Sequence, residues 1–267
     1  MSRIFALLRK ELIDLRGNPA VFVPAIITGV VSIAMPFVIA VAVPYFTGER
    51  LSDSSDFRIA LEMYRDQPGT RSLDPEGAIQ AMIFQQFLIM LVLTPVAAAM
   101  AVAAYAVVGE KQARTLEPLL ATPITTFELL AGKILGALLP GLALVTICFA
   151  VYVGGVALLA HPGVYRTLFF PRALLTMFLL GPLASLAALQ MAVCVSSRAN
   201  DARSAQQIGA LVILPISGLL IAEFTNNLQL TSRIVLLLSL LMAILNVALI
   251  AIGIRVFDRE SILTRWK

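Results

Sequence analysis

Gly132-Lys133 is the one place in this 267-residue chain where a glycine directly precedes a lysine. A phosphate-binding loop needs G-x-x-x-x-G-K-[ST], in which backbone N–H groups cradle the phosphates and the final hydroxyl reaches the metal. Here Phe127 stands where the first glycine belongs and Ile134 follows the lysine, so the chain is not expected to bind or hydrolyse ATP. His161 is the only histidine, which excludes H-E-x-x-H and every multi-histidine metal site. In the run His161-Pro162-Gly163 it reads as a loop residue. No G-x-S-x-G elbow occurs. Cys148 and Cys194 fall at different depths of different apolar runs, too far apart for a disulfide. No catalytic residue and no metal site is therefore expected.

The remaining polar candidates lie inside apolar stretches. They are Gln85, Gln86, Thr94, Gln190, Ser217, Asn246 and Glu223. Uncharged residues of this kind serve as interhelical hydrogen bonds, worth about 0.6–2 kcal/mol each. Alternatively, Gln85, Gln86, Thr94, Ser217 and Glu223 line a translocation path, with Glu223 at an external gate. Thr94-Pro95 and Gly181-Pro182 mark kinks or close packing. No mid-depth carboxylate or histidine relay is evident, and an ion-coupled carrier requires one. An energy source outside the membrane segment is favoured.

These residues need a scaffold, and composition says which. Hydrophobic residues make up 59% and charged residues 13%, against about 45–50% and about 25% in soluble domains. The bilayer is the expected solvent, with membrane lipids as contacts. The net charge of +4 is small and dispersed, which argues against nucleic acid as a partner. Apolar runs long enough to span occur at about 20–44, 83–108, 127–160, 171–195, 207–224 and 233–256. The expected fold is all-α, with six transmembrane helices. The third run is too long for one crossing, so it projects into water or bends at Pro140-Gly141. Of the 20 Lys and Arg residues, 13 fall on the side of the N-terminus. That excess places both termini in the cytoplasm. Ala40-Val41-Ala42 resembles a signal-peptide cleavage site, but the apolar run before it is too long. No internal repeat is visible, and the halves show no inverted symmetry.

Two segments outside the spans carry pattern. Ile4, Leu7, Leu8, Leu12 and Leu15 follow helical spacing among Arg3, Arg9, Lys10 and Arg16, as in a helix lying in the interface. A solvated tail is the alternative. Gly17-Asn18-Pro19 ends it. The second is the polar island Gly109–Lys133. Thr115-Leu116-Glu117-Pro118 starts a short helix whose Leu116, Leu119 and Leu120 share one face. Thr122-Pro123 stops it. Thr125 and Glu128 then have capping-box spacing, and Gly132 and Gly136 permit close helix approach. A helix of about two turns is marginal alone and needs a docking surface. Its leucines pack either on this chain's own spans or on a cytoplasmic partner. The domain reading is an interfacial helix over 1–19, a transmembrane domain over 20–256 and a tail over 257–267. The transmembrane domain includes an external loop at 45–82 and a coupling segment at 109–127.

The island resembles the signature of ABC-2-type permeases, the membrane subunits of ABC exporters with the type V fold. The resemblance rests on Gly109-Glu110-Lys111, the run Thr115 to Thr125, and Glu128-Leu129-Leu130-Ala131-Gly132-Lys133. It implies that the short helix is a coupling helix seated in a cytoplasmic ABC ATPase. Glu110, Arg114, Leu116, Glu117, Pro118, Leu119, Leu120, Thr122 and Pro123 would then form the coupling surface. A weaker ATPase contact would fall in 196–207. ATP and Mg would be held by the separate ATPase, present in two copies, and none by this chain. A second permease subunit, identical or similar, completes the assembly in a prokaryotic plasma membrane. The implied activity is ATP-driven export of a drug-like, lipid-like, glycan or ionic cargo. The rivals are a secondary transporter or channel without an ATPase, a membrane enzyme and a membrane scaffold.

Overall fold

The computed structural model describes residues 3–17, 23–54, 57, 70, 73–112, 125–196, 211, 213–224 and 230–256. Among them the regular structure is entirely helical. Helix α1 is Arg3–Gly17. Helix α2 is Val23–Phe37, continued through a π turn at Val38–Ala42 into Val43–Thr47. Helix α3 is Pro75–Gln112 and α4 is Thr126–Leu159. Helix α5 is Pro171–Leu175, a π turn at Thr176–Leu180, then Gly181–Ser196. Helix α6 is Ile213–Phe224 and α7 is Ser232–Val256. A 3-10 turn at Val164–Phe169 joins α4 to α5.

Among the described residues, five helices are long and apolar enough to cross a membrane: Val23–Thr47, Pro75–Val102, Phe127–Leu159, Pro171–Cys194 and Ser232–Ile254. The expected run at 207–224 is represented by α6, whose 12 described residues reach only about 18 Å at 1.5 Å per residue. The segment 45–82, read from sequence as a loop, carries helix at both of its ends. Helix continues to Thr47 on one side and resumes at Pro75 on the other. Apolarity had marked only the central part of α3, because Pro75, Glu76, Gly77 and Gln80 dilute its first turns.

Helix α3 is the hub. In its most apolar stretch 83% of residues are buried, against 22% for α2 and α4 and 17% for α7. A helix that is apolar all round must be enclosed by protein or lipid. Here α3 takes the protein interior, and the others turn apolar faces outward. Ile26, Ile27 and Val30 of α2 and Leu237, Leu241 and Ile244 of α7 are exposed. In water these faces would be an aggregation surface; against acyl chains they cost nothing.

Both π turns precede a proline, Pro44 and Pro182. A proline ring collides with the carbonyl four residues back and offers it no N–H. The helix widens in response. Val43 N–H bonds Val38 O, and Gly181 N–H bonds Thr176 O. Ala40 O, four residues before Pro44, accepts from Gln80 Nε2 at 3.1 Å. Gln80 Oε1 in turn accepts from His161 N–H at 2.8 Å. One carboxamide thus ties α2, α3 and the start of the loop after α4. His161 sits in that loop, its Nδ1 3.3 Å from Asp74 Oδ1.

Below this end an aromatic cluster locks α2, α3 and α4. Phe37 lies 5.0 Å from Phe84 and 5.9 Å from Tyr152, centroid to centroid. Tyr152 donates to Phe84 O at 2.7 Å. The Phe37 ring rests on Gly155, where an added Cβ would lie 2.7 Å from Phe37 Cζ. Gly155 therefore serves close packing. Both cysteines are free.

Candidate coupling site

The expected coupling residues Arg114, Leu116, Glu117, Pro118, Leu119, Leu120, Thr122 and Pro123 lie outside the described residues. Glu110 is in the last turns of α3, which ends at Gln112. The contact expected within 196–207 also falls outside, apart from Ser196 at the end of α5. What the structure describes is the frame on either side of 113–124.

On the far side the frame opens with the expected capping box. Thr125 Oγ1 accepts from Glu128 N–H at 3.2 Å, and Glu128 Oε2 accepts from Thr125 N–H at 2.8 Å. Two of the orphan donors at the start of α4 are satisfied in this way. Arg3 of α1 approaches the same carboxylate at 3.8 Å.

Helix α1 then runs alongside α4. Leu7 covers Gly132 and Glu11 covers Gly136, so both helices advance by four residues together. A Cβ on Gly132 would lie 2.6 Å from Leu7 Cβ, and one on Gly136 would lie 2.6 Å from Glu11 Cβ. The small-xxx-small spacing is used, and its partner is the N-terminal helix. Leu7, Glu11 and Leu15 form the buried ridge of α1, while Arg9 and Arg16 stay exposed. Leu8 and Leu12, read from sequence as part of the stripe, are only half-buried.

Between the two glycines Lys133 turns inward. Its Nζ lies 3.3 Å from Glu11 Oε1, with both side chains buried. The sequence reading had placed Lys133 at the end of the polar island and counted its charge only towards the sidedness of the chain. It lies in the second turn of α4, paired with a residue 122 positions away. Glu11 was missed, although it carried a signal. It falls four residues after Leu7 and four before Leu15, a charge on the apolar stripe. Such a residue requires a buried partner.

The path candidates do not share one face. Gln85 and Thr94 are nine residues apart, half a turn out of phase on a helix. Gln85 Nε2 reaches Thr167 O at 3.4 Å in the 3-10 turn. Thr94 is fully buried and faces Gly29 of α2, where an added Cβ would meet its Cγ2 at 3.3 Å and Cys148 Sγ at 3.1 Å. Among the described residues its Oγ1 finds no hydrogen-bond partner. Ser32 Oγ donates to Met90 O at 3.0 Å, the carbonyl a helical threonine at 94 would ordinarily use. Gln86 is buried in α3. Ser217 is half-buried on α6, and Glu223 lies in the last turn of α6. Gln190 and Asn246 do form the interhelical bond read for them, Gln190 Nε2 donating to Asn246 Oδ1 at 3.1 Å.

Five long apolar helices with outward apolar faces define a multi-pass integral membrane protein of the all-helical class. The sequence profile of the ABC-2 family transporter proteins matches residues 5–233, from the first turn of α1 into α7, and the chain belongs to that family. A search of curated proteins finds no match. The chain is thus the membrane transport component of an ABC transporter.

Proposed function

We propose that the chain is the permease subunit of an ATP-driven exporter and that its coupling segment at 109–127, centred on Leu116 to Thr122, is its contact with a separate ATPase. Family membership supports this reading, and the frame around the segment gives it a mechanism. Helix α3 has 38 residues and α4 has 34, about 57 Å and 51 Å at 1.5 Å per residue. A hydrocarbon core of about 30 Å leaves both helices extending beyond it. A short segment between two such ends can pass a push into the bundle through α3, its hub. Helix α1, bound along α4, stiffens the receiving end.

On this reading α6 and its unassigned flank make a sixth span, both termini are cytoplasmic, and α1 lies at the cytoplasmic interface. Two permease subunits and two ATPases assemble in a prokaryotic plasma membrane, and the ATPases hold ATP and Mg. Closure of the ATPases moves cargo between the permeases.

The test is affinity purification from native membranes in mild detergent. Recovery of a stoichiometric P-loop ATPase is the expected result, and Leu119→Asp or Leu120→Asp should abolish it while membrane insertion persists. Transport by the chain purified alone, or unchanged ATPase recovery with both variants, would refute the proposal.

A further inference from the structure

Hydroxyls inside these helices share a habit. Thr28, Thr146, Thr176, Ser185 and Ser239 each donate to the carbonyl four residues back, at 2.8 Å, which satisfies a hydroxyl away from water. Ser32 of α2 and Thr94 of α3 break the habit, and both departures meet at one atom. Ser32 Oγ passes over Thr28 O, its own carbonyl four back, and donates across the interface to Met90 O at 3.0 Å. Met90 is four residues before Thr94, so in an α-helix its carbonyl also receives the Thr94 N–H. A carbonyl oxygen has two lone pairs. With Ser32 in place, none is left there for the Thr94 hydroxyl. Thr94 Oγ1 accordingly finds no partner among the described residues. Both side chains are enclosed, Ser32 at 1% and Thr94 at 0% exposure. Thr94 faces α2 at Gly29, one turn before Ser32, with its Cγ2 3.3 Å and its Oγ1 3.6 Å from where a Gly29 Cβ would stand.

We propose that Ser32, Thr94 and the Met90 carbonyl form an exchangeable clasp between α2 and α3. Closed, the clasp ties the two helices through Ser32, and the Thr94 hydroxyl goes unpaired. Opened, Ser32 turns to Thr28 O and Thr94 takes Met90 O, each following the habit of the other five hydroxyls. The helices then separate without leaving an orphan donor in an apolar interior, where such a group is costly. The orphan biases the clasp towards release, and packing holds it shut: Phe37 lies on Phe84, and Gly29 lies on Thr94. Neighbouring residues suit movement at this level. Pro95 follows Thr94 in α3, and a Cβ on Gly141 of α4 would lie 3.4 Å from Pro95 O. A proline inside a helix removes one backbone bond and lets the helix bend. As a step in transport the clasp rests on the proposed function, in which α3 relays the push. As an exchange of hydrogen bonds it needs only α2 and α3.

Met90-Leu91 is the single Met-Leu pair in the chain. Carbonyl-13C methionine with 15N leucine therefore isolates the Met90 carbonyl in solid-state NMR of the full chain in liposomes, with no ATPase present. Loss of a hydrogen bond moves such a resonance upfield. Thr94→Val should leave it in place, because Ser32 stays bonded. Ser32→Ala should also leave it nearly in place, because the Thr94 hydroxyl takes over the lone pair. Only Ser32→Ala/Thr94→Val should move it upfield, and Ser32→Ala/Thr94→Ser, which returns a hydroxyl, should bring it back. In thermal denaturation Ser32→Ala should lower the midpoint less in the Thr94 chain than in the Thr94→Val chain. An upfield shift with Ser32→Ala alone as large as with the double variant would overturn the exchange, as would a shift with Thr94→Val alone or an unmoved double variant. None of these variants touches the segment 109–127, so ATPase recovery tests the coupling reading separately.

Discussion

Replacing Glu11 by leucine should detach α1 from α4 without unfolding the bundle. The Glu11–Lys133 pair is 3.3 Å apart with side chains 7% and 1% exposed. Lys10 and Asp14 on the same helix are equally close, at 3.2 Å, but 40% and 56% exposed. Burial therefore separates the two pairs, not distance. Exposed pairs contribute about 0–1 kcal/mol. Removing one partner of a buried pair costs about 3–5 kcal/mol, because the other charge stays desolvated. Helix α1 is peripheral and can open locally. At about 1.4 kcal/mol per tenfold, a loss of about 3–5 kcal/mol means that Glu11→Leu should raise α1 amide exchange by about two to three and a half powers of ten. Asp14→Ala should change it by less than about tenfold. The double variant Glu11→Leu/Lys133→Met should recover most of the protection, since an apolar pair of similar volume replaces a buried ion pair at little cost. Hydrogen exchange with mass spectrometry on the full chain in nanodiscs reads all three. If Glu11→Leu exchanges like Asp14→Ala, the pair is not holding α1, and burial has been given too much weight.

Two further outcomes follow from the packing. Gly136→Ala should force α1 and α4 apart, since its Cβ would sit 2.6 Å from Glu11 Cβ. Overpacking of this kind costs about 1–3 kcal/mol, and accelerated exchange confined to α1 would report it. Tyr152→Phe removes the 2.7 Å bond to Phe84 O but leaves that carbonyl its place in α3. Thermal denaturation in detergent should show a loss of about 0.5–1.5 kcal/mol, and an unchanged midpoint would mean the hydroxyl contributes nothing.

Features set by neighbours in the chain were legible. The Thr125–Glu128 box is a four-residue pattern, and it forms as read. Apolar run length located five of the spans, because the cost of burying backbone in lipid depends on length and composition alone. The ends of those helices were misplaced where polar residues continue a helix past its apolar part, as at Pro75–Met82. The π turns were invisible because a proline inside a run signals strain but not how the helix relieves it. Gln80 supplies the missing information from another helix. Much of the candidate coupling surface lies outside the described residues, so its legibility ends at the frame.

By itself the sequence determined the class: an all-helical membrane protein with no nucleotide loop of its own and an ABC-2 signature between its second and third long helices. These follow from composition, local spacing and motif, each readable within some tens of residues. Only the tertiary structure decided which side chains answer one another. Gly132 and Gly136 announced a close approach without naming Leu7 and Glu11. Lys133 closed the polar island, and nothing near it in the chain announced the carboxylate 122 positions away that folds against it. Gln190 looked like an interhelical bond, and Asn246, 56 positions away, makes it one. A pairing across distant segments is fixed by how helices pack in three dimensions, and no local spacing encodes it.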